Sequence, residues 1–374
     1  MEEKVKNKII CSLVIAFFII CSLSFFSISQ VRFDHNNVRI EGFYKEEKNS
    51  LDVVFIGASE VYSDYYPVYA YEKYGYTSYN YAIEDNPLVF YKWELDEINS
   101  FQNPKLAVIE LSEAVSESEM NANSGYFDAT LRKLTDSTPA FGNKAELINN
   151  YGNKKHELSY YFPLLMYHTA KPQIETAKEI IGFQSRGYSY LKGAVTHTRS
   201  KECTKEELYN LKGDNSKQPV SKNQEKILLE LLEHCKTKNY NVLFTRFPHR
   251  VENKEKYRSY CEGNYIAELV RGYGFDYLDC EHVVESIGID RIEDFTDGEH
   301  LRAQGAKKLT EYIANVIIEK HNIIESKLTD SNKEKWNNSV KYMNGFFTYY
   351  EQMKNNQEDC FIYENNDLLN KIDE

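Results

Sequence analysis

Two apolar tetrads, Val53-Val-Phe-Ile56 and Leu106-Ala-Val-Ile109, sit inside strand-like segments at residues 51–56 and 105–111. A strand that is continuously apolar, rather than alternating, has both faces covered, and that points to a parallel sheet between layers of helix. The segments between and beyond them fit the same plan. Residues 66–74 read as a short helix stopped by Gly75, 77–82 as a second strand, and 87–99 as a helix with Pro87 near its start. Further on, the spacing predicts a helix at 224–238, a strand at 241–247, a helix at 254–273, a strand at 276–278 and a last helix at 301–320. This order predicts an α/β domain with a mostly parallel sheet and helices on both faces.

The rhythm breaks between residues 112 and 222, a stretch rich in Tyr, Asn, Lys and Ser. It is too long for a plain loop and reads as a partly helical insertion. Either it forms a lid or polymer-binding wall beside the site, or it is a structural subdomain away from it. Beyond residue 326, Trp336, Val340, Met343, Phe347 and Tyr350 repeat at spacings of 4, 3, 4 and 3, the pattern of an amphipathic helix docked on the domain. The last twenty residues read as frayed.

Residues 1–8 carry three Lys and two Glu, and residues 9–29 carry no charge. Twenty-one residues of helix span roughly 30 Å, a bilayer's hydrocarbon thickness. The expected organisation is a cytoplasmic tail at 1–8, a transmembrane signal anchor at 9–29 and a polar stem at 30–50. The α/β domain follows at 51–325, and a helical tail at 326–374. The amino-terminal lysines predict a single-pass protein of the cell membrane with its carboxyl-terminal domain extracellular. A cleaved signal peptide is the competing reading, but the apolar run is long for one and no A-x-A-like site follows it.

Of the formal charge of −12, residues 1–8 contribute +1, so −13 falls on the rest. Such a domain does not bind nucleic acid through bulk charge. Five cysteines outside the anchor are irregularly spaced, with no C-x-x-C pair, which argues against a zinc or redox motif and leaves disulfide pairing open. The glycines form no phosphate-cradling motif, and no cofactor is expected.

The first strand ends in Gly57-Ala58-Ser59, which sets a serine hydroxyl at the carboxyl edge of a sheet, where open α/β folds build their sites. A serine needs a base to become a nucleophile, and donors to hold the oxyanion it creates. Asp297-Gly-Glu-His300 supplies a candidate base three residues after a carboxylate able to fix its tautomer. The plainer reading makes Asp297 a cap of the last helix and His300 a surface residue.

Ile56-Gly-Ala-Ser59-Glu60, Ser78-Tyr-Asn80-Tyr-Ala82 and Asp297-x-x-His300-Leu-x-x-x-Gly305-Ala-Lys307-Lys occur in that order. Together they resemble the SGNH/GDSL hydrolase superfamily, in its membrane-anchored branch of DltD-like and AlgX-like cell-surface acyl-transfer proteins. The segment Tyr161-Phe-Pro-Leu-Leu-Met-Tyr-His168 is similar to the inserts of bacterial members. The resemblance implies a three-layer α/β/α flavodoxin-like fold and a serine O-acyltransferase or acyl esterase acting on a cell-envelope glycan. It implies Ser59 as nucleophile, His300 as base and Asp297 as its orienting partner. The oxyanion hole would use the N–H groups of Ser59 and Ala82. The family's Gly-x-Asn-Asp block is replaced by Glu110-Leu-Ser-Glu113, leaving Asn80 or Asn86 as the side-chain donor. Implied partners are a cell-wall or exopolysaccharide polymer, an acyl donor and a membrane acyl-export protein. The rival expectation is a catalytically silent SGNH fold that binds wall polymer or scaffolds an envelope complex.

Four further residues are candidates for substrate contact. Glu60 either favours the positive end of the following helix or attracts a cationic acyl group. Arg246, in Arg246-Phe-Pro-His249-Arg250, is either an anion-binding group or part of an ordinary βα loop. Asn86 and His168 complete the set. The acidic run Glu293, Asp294, Asp297 and Glu299 reads as a solvated loop rather than a metal site.

Overall fold

In the computed structural model the described residues are 2–115, 124–139, 143–199, 201 and 203–373. The chain begins with helix α1 (Glu2–Ile28), which contains a 20-residue run, Ile9–Ile28, long and apolar enough to cross a membrane and not buried against the rest of the protein. Next come α2 (His35–Lys45), β1 (Val53–Gly57), α3 (Ser59–Asp64), α4 (Pro67–Tyr74), β2 (Ser78–Ala82), α5 (Tyr91–Phe101) and β3 (Leu106–Glu110). The insertion holds α6 (Gly125–Thr135), α7 (Lys144–Tyr151), α8 (Glu157–Tyr161), α9 (Leu164–Tyr167) and α10 (Ile174–Arg186), then β4 (Thr196–His197). The alternation resumes with α11 (Lys222–Lys238), β5 (Val242–Arg246), α12 (Lys254–Gly272), β6 (Asp276–Asp279), α13 (Val284–Ile287) and α14 (Ala303–His321). The chain closes with α15 (Asp330–Asn355), β7 (Phe361–Ile362) and α16 (Asn366–Asp373).

Five strands form one wholly parallel sheet in the order β2-β1-β3-β5-β6. Counted along the sheet's own strands this is the flavodoxin-like 2-1-3-4-5 order, whose switch point lies between β1 and β3. Val53 to Ile56 and Leu106, Val108 and Ile109 are fully buried, as continuous apolar strands require. The expected α/β architecture is thus present, with the switch-point crevice at the carboxyl ends of β1 and β3.

Three sequence expectations are corrected. The polar stem at 30–50 contains α2, with Ile40 and Phe43 fully buried in the core. Its polar residues are buried as well, and partnered: Asn37 donates to Ser137, and Arg39 donates to the Ala82 carbonyl while lying 3.7 Å over the Tyr62 ring. The frayed end is in fact ordered, with β7 pairing antiparallel to β4 and Leu368 and Leu369 buried. The helix expected at 87–99 starts with a single 3₁₀ turn, and the regular part runs from Tyr91 to Phe101. The tail helix is docked as its spacing predicts, with Trp336, Met343 and Tyr350 buried. All seven cysteines are unpaired.

Gly57 ends β1 where α3 and β3 crowd it. A Cβ there would stand 2.4 Å from Val61 Cγ2 and 3.0 Å from Glu110 Cβ. Gly57→Ala is therefore expected to cost about 1–3 kcal/mol through overpacking, read as a lower thermal midpoint. An unchanged midpoint would show that α3 is free to move away from the sheet.

Candidate active site

One side of the crevice comes from residues just beyond the strands, and another from α12, through Glu255, Lys256, Arg258, Ser259 and Glu262. Past β1, Ala58 turns the chain into α3, whose first residues are Ser59 and Glu60. Past β3 lie Ser112 and Glu113, past β5 His249, and past β6 Glu281. They surround a cavity of about 380 Å³ lined by Ser59, Glu60, Ser112, Arg246 and His249 among others. Val115 is the one apolar side chain among its described lining residues. Pockets for hydrophobic ligands are mostly apolar, so this wall suits a hydrophilic substrate.

His300 reaches the same region from a hairpin that precedes α14. Phe295 pairs with Leu301, and the Thr296 N–H donates to the His300 carbonyl at 2.9 Å. Asp297 Oδ1 accepts the N–H groups of Glu299 and His300 at 2.8 and 2.9 Å, which closes the turn. Asp297 does not cap α14, which begins at Ala303 behind Arg302. Its carboxylate instead lies 3.0 and 3.1 Å from His300 Nδ1. The hairpin is pinned to α3 by the Leu301 N–H, which donates to Asp64 Oδ1 at 2.8 Å. The helix that opens with Ser59 is therefore in direct contact with the loop that carries His300.

The charges alternate. Burial disfavours the His300 imidazolium, but the bond to Asp297 and the nearby carboxylates outweigh it and lift His300 to about 9. Burial pushes the Asp64 carboxyl well above its ordinary range, so Asp297 and Glu60 carry this effect. Burial opposes ionisation of Glu60 too, yet the close approach of His249 and the charge of His300 bring it to about 2. His249 is raised to about 9 against its own burial, chiefly by Glu281, whose carboxylate lies 2.7 Å from Nδ1. Its Nε2 is 3.7 Å from Glu60 and 3.2 Å from the Ser112 hydroxyl. Asp297, His300, Glu60, His249 and Glu281 thus form a row of alternating charges, buried at Glu60, His249 and Glu281 and open to solvent at Asp297.

The Ser59 hydroxyl donates to Glu60 Oε2 at 3.2 Å, and His300 Nε2 is buried with no hydrogen-bond partner among the described residues. Asn80 donates its amide to the Tyr65 carbonyl at 2.9 Å. Asn86 donates to the Gly57 carbonyl and to Glu94. Asn86 thus spends its N–H groups on the scaffold, and Asn80 one of its two. Ala82 is buried in β2, its carbonyl taken by Arg39. His168 stands on the exposed end of α9, its carbonyl accepting from Gln30, and does not line the cavity. Arg246 does line it. Its guanidinium rests where Gly263 has no side chain, since a Cβ there would be 1.9 Å from Nη1.

Among the described residues no cluster has the make-up of a metal site. In the acidic run, Asp294 pairs with Lys308 at 2.6 Å, and Glu299 with Lys256. From the insertion, only Ser112, Glu113 and Val115 line the cavity among the described residues; helices α6 to α10 do not.

Sequence reasoning missed His249, Glu281 and Ser112 as site residues. Each lies within three residues of a strand's carboxyl end, which is the signal that was available.

No family model matches the chain, and no curated protein matches it. Among solved structures it is similar to the lipase/acylhydrolase from Enterococcus faecalis, at 10% identity. That match covers 75% of this chain and all of the other, with a TM-score of 0.31.

The row of charges predicts how stability depends on pH. His249, raised above its ordinary 6.5, stabilises the fold fully below that value, and the contribution is lost as pH rises through about 9. Glu60 and Glu281, depressed from 4.5 to about 2, stabilise above 4.5 and lose that contribution as pH falls through about 2. Denaturant midpoints should therefore decline between pH 6.5 and 9, and His249→Gln should start lower and decline less. Equal slopes for the two proteins would remove His249 from the linkage.

Proposed function

We propose that the protein is an extracytoplasmic serine acyl-transfer enzyme, an O-acyltransferase or acyl esterase working on a cell-envelope glycan or wall polymer. The observation that carries this reading is that Ser59, which lines the polar cavity, opens the helix whose far end, Asp64, is bonded to the hairpin that carries the Asp297-held His300. The chain's motifs suit the membrane-anchored SGNH branch of DltD-like and AlgX-like proteins. In the proposed cycle Ser59 Oγ attacks an ester carbonyl while His300 Nε2 takes its proton. The bond from carbon to the leaving alcohol breaks, and His300 returns the proton to that alcohol. Water attacking the acyl-Ser59 then gives hydrolysis, and a sugar or polyol hydroxyl gives transfer. The Ser59 N–H is one oxyanion donor, with Ala82 N–H as the expected second. His249 is the proposed side-chain donor in the cavity wall, where the family's Gly-x-Asn-Asp asparagine is replaced, since the Ser112 hydroxyl already donates to Glu110.

To react, the Ser59 hydroxyl must turn from Glu60 to His300 Nε2, an acceptor that is otherwise unpartnered. His300 must also be neutral. Its raised pKa moves the alkaline requirement from near 6.5 to about 9. Arg246 is 3% exposed, and its Nε has no hydrogen-bond partner. We assign it to an anionic group of the polymer or acyl donor. The helix Ile9–Ile28 anchors the domain in the cell membrane, and a membrane acyl-export protein is the proposed donor-side partner. A silent polymer-binding fold is the second reading. The observation favouring it is that Ser59 is bonded to Glu60 rather than to His300.

With a fluorophosphonate probe, Ser59 should be labelled, with a rate that climbs with pH to about 9. Ser59→Ala should abolish labelling with no change in the thermal melt, and His300→Gln should slow it by about 10²–10⁴-fold. No labelling of a folded, full-length sample at pH 9 would favour the silent reading. Arg246→Gln should raise KM for an anionic substrate by roughly 10-fold or more and leave a neutral ester unaffected, since hydrogen bonds to charged groups are worth about 1.5–3 kcal/mol. Equal effects on both substrates would make Arg246 structural.

A further inference from the structure

Helices α8, α9 and the start of α10 stand clear of the cavity, and their surface is apolar. Leu158, Phe162, Leu165, Met166 and Ile174 are 40% to 66% exposed. Single exposed apolar residues need no account, but a contiguous group does. The Leu165 N–H donates to the Phe162 carbonyl, and Leu158 and Leu165 line one hollow together with Lys154 and Lys155.

This group adjoins α1. The Gln173 N–H donates to the Ser29 carbonyl at 2.7 Å, and the Gln30 amide donates to the carbonyls of His168 and Ala170 at 2.9 and 2.7 Å. Pro172 and Ile174 share a groove with Cys21, Ser22, Phe25 and Phe26. Those four residues belong to the exposed apolar run Ile9–Ile28. At about 1.5 Å per residue, Ile174 therefore stands roughly 3–10 Å short of that run's end. A side chain level with those turns meets the same solvent that they meet. Lys154, Lys155 and Lys171 are exposed around the group, with Glu157 3.9 Å from Lys154. Apolar and aromatic side chains fringed by lysine characterise segments that lie at the boundary of headgroups and acyl chains.

We propose that α8, α9 and the start of α10 are seated in a lipid bilayer crossed by α1, in the leaflet on the side of the folded domain. Phe162, Leu165, Met166 and Ile174 enter the acyl region, and the lysines meet anionic headgroups. The face is continuous with the lipid-facing surface of α1, and that makes lipid its occupant rather than a second protein. The proposal rests on the reading of α1 as membrane-spanning.

The test uses the full chain in vesicles of phosphatidylglycerol and phosphatidylethanolamine, with and without bromine on the upper acyl chain. Tryptophan reporters are placed by Phe162→Trp, Ile174→Trp and, on α1, Phe25→Trp. The native Trp93 and Trp336, 5% and 0% exposed, provide the baseline. Phe162→Trp and Ile174→Trp should be quenched by brominated lipid as strongly as Phe25→Trp. Quenching of Phe25→Trp without the other two would overturn the seated face and leave the anchor standing. Loss of quenching at all three would overturn the membrane-spanning reading and the face with it.

Discussion

The bond from the Leu301 N–H to Asp64 is the contact on which the site's geometry rests. Asp64 ends α3, the helix that Ser59 begins, and it is fully buried. A buried carboxyl with no partner is costly, so its oxygen strongly favours the one main-chain donor that reaches it. That donor belongs to the hairpin carrying Asp297 and His300. Elements separated by some 240 residues are thereby held in one register. The Asx turn at Asp297 then orients the imidazole within the hairpin. The crevice is rigid because both of its sides are anchored to main chain rather than to long side chains.

The electrostatics follow from the same burial. Glu60, His249 and Glu281 sit where single charges would not survive, and alternation of sign lets them do so. Glu60 is the centre of the row, between His300 and His249. Burial pushes Glu110 and Glu113 toward their neutral forms, and the anionic Glu60 adds to that push. The same charge reinforces what Glu281 does for His249 and Asp297 for His300. Its role as a helix-end charge is secondary to that, and the wall around it carries both signs rather than a simple attraction for cations.

The sheet was legible in the sequence because its strands are continuously apolar and each stops at a polar or glycine-bearing turn. Ser59 and the pair Asp297 and His300 were legible for a similar reason, standing in short motifs at element ends. Residues 30–50 were not, because α2 buries Asn36, Asn37 and Arg39 with partners that composition cannot reveal. The ordered tail escaped for a related reason, since β7 and α16 depend on β4 and α15, far away in sequence. His249 and Glu281 were hidden by distance as well. Each looks like an ordinary loop residue until β5 and β6 set them side by side. Asn86 shows the converse, standing in a suitable loop with its amide N–H groups already engaged.

Only six residues, 29–34, separate the end of α1 from the first turn of α2, and α2 is part of the core. Gln30, within that interval, is itself tied to the insertion. A domain joined so tightly to its leading helix has no tether on which to search. Its crevice works at one fixed height and tilt relative to that helix, like a tool clamped to a bench. On the proposed reading a long acceptor has to be brought past it, so reach becomes a property of the acceptor's chain length rather than of the protein.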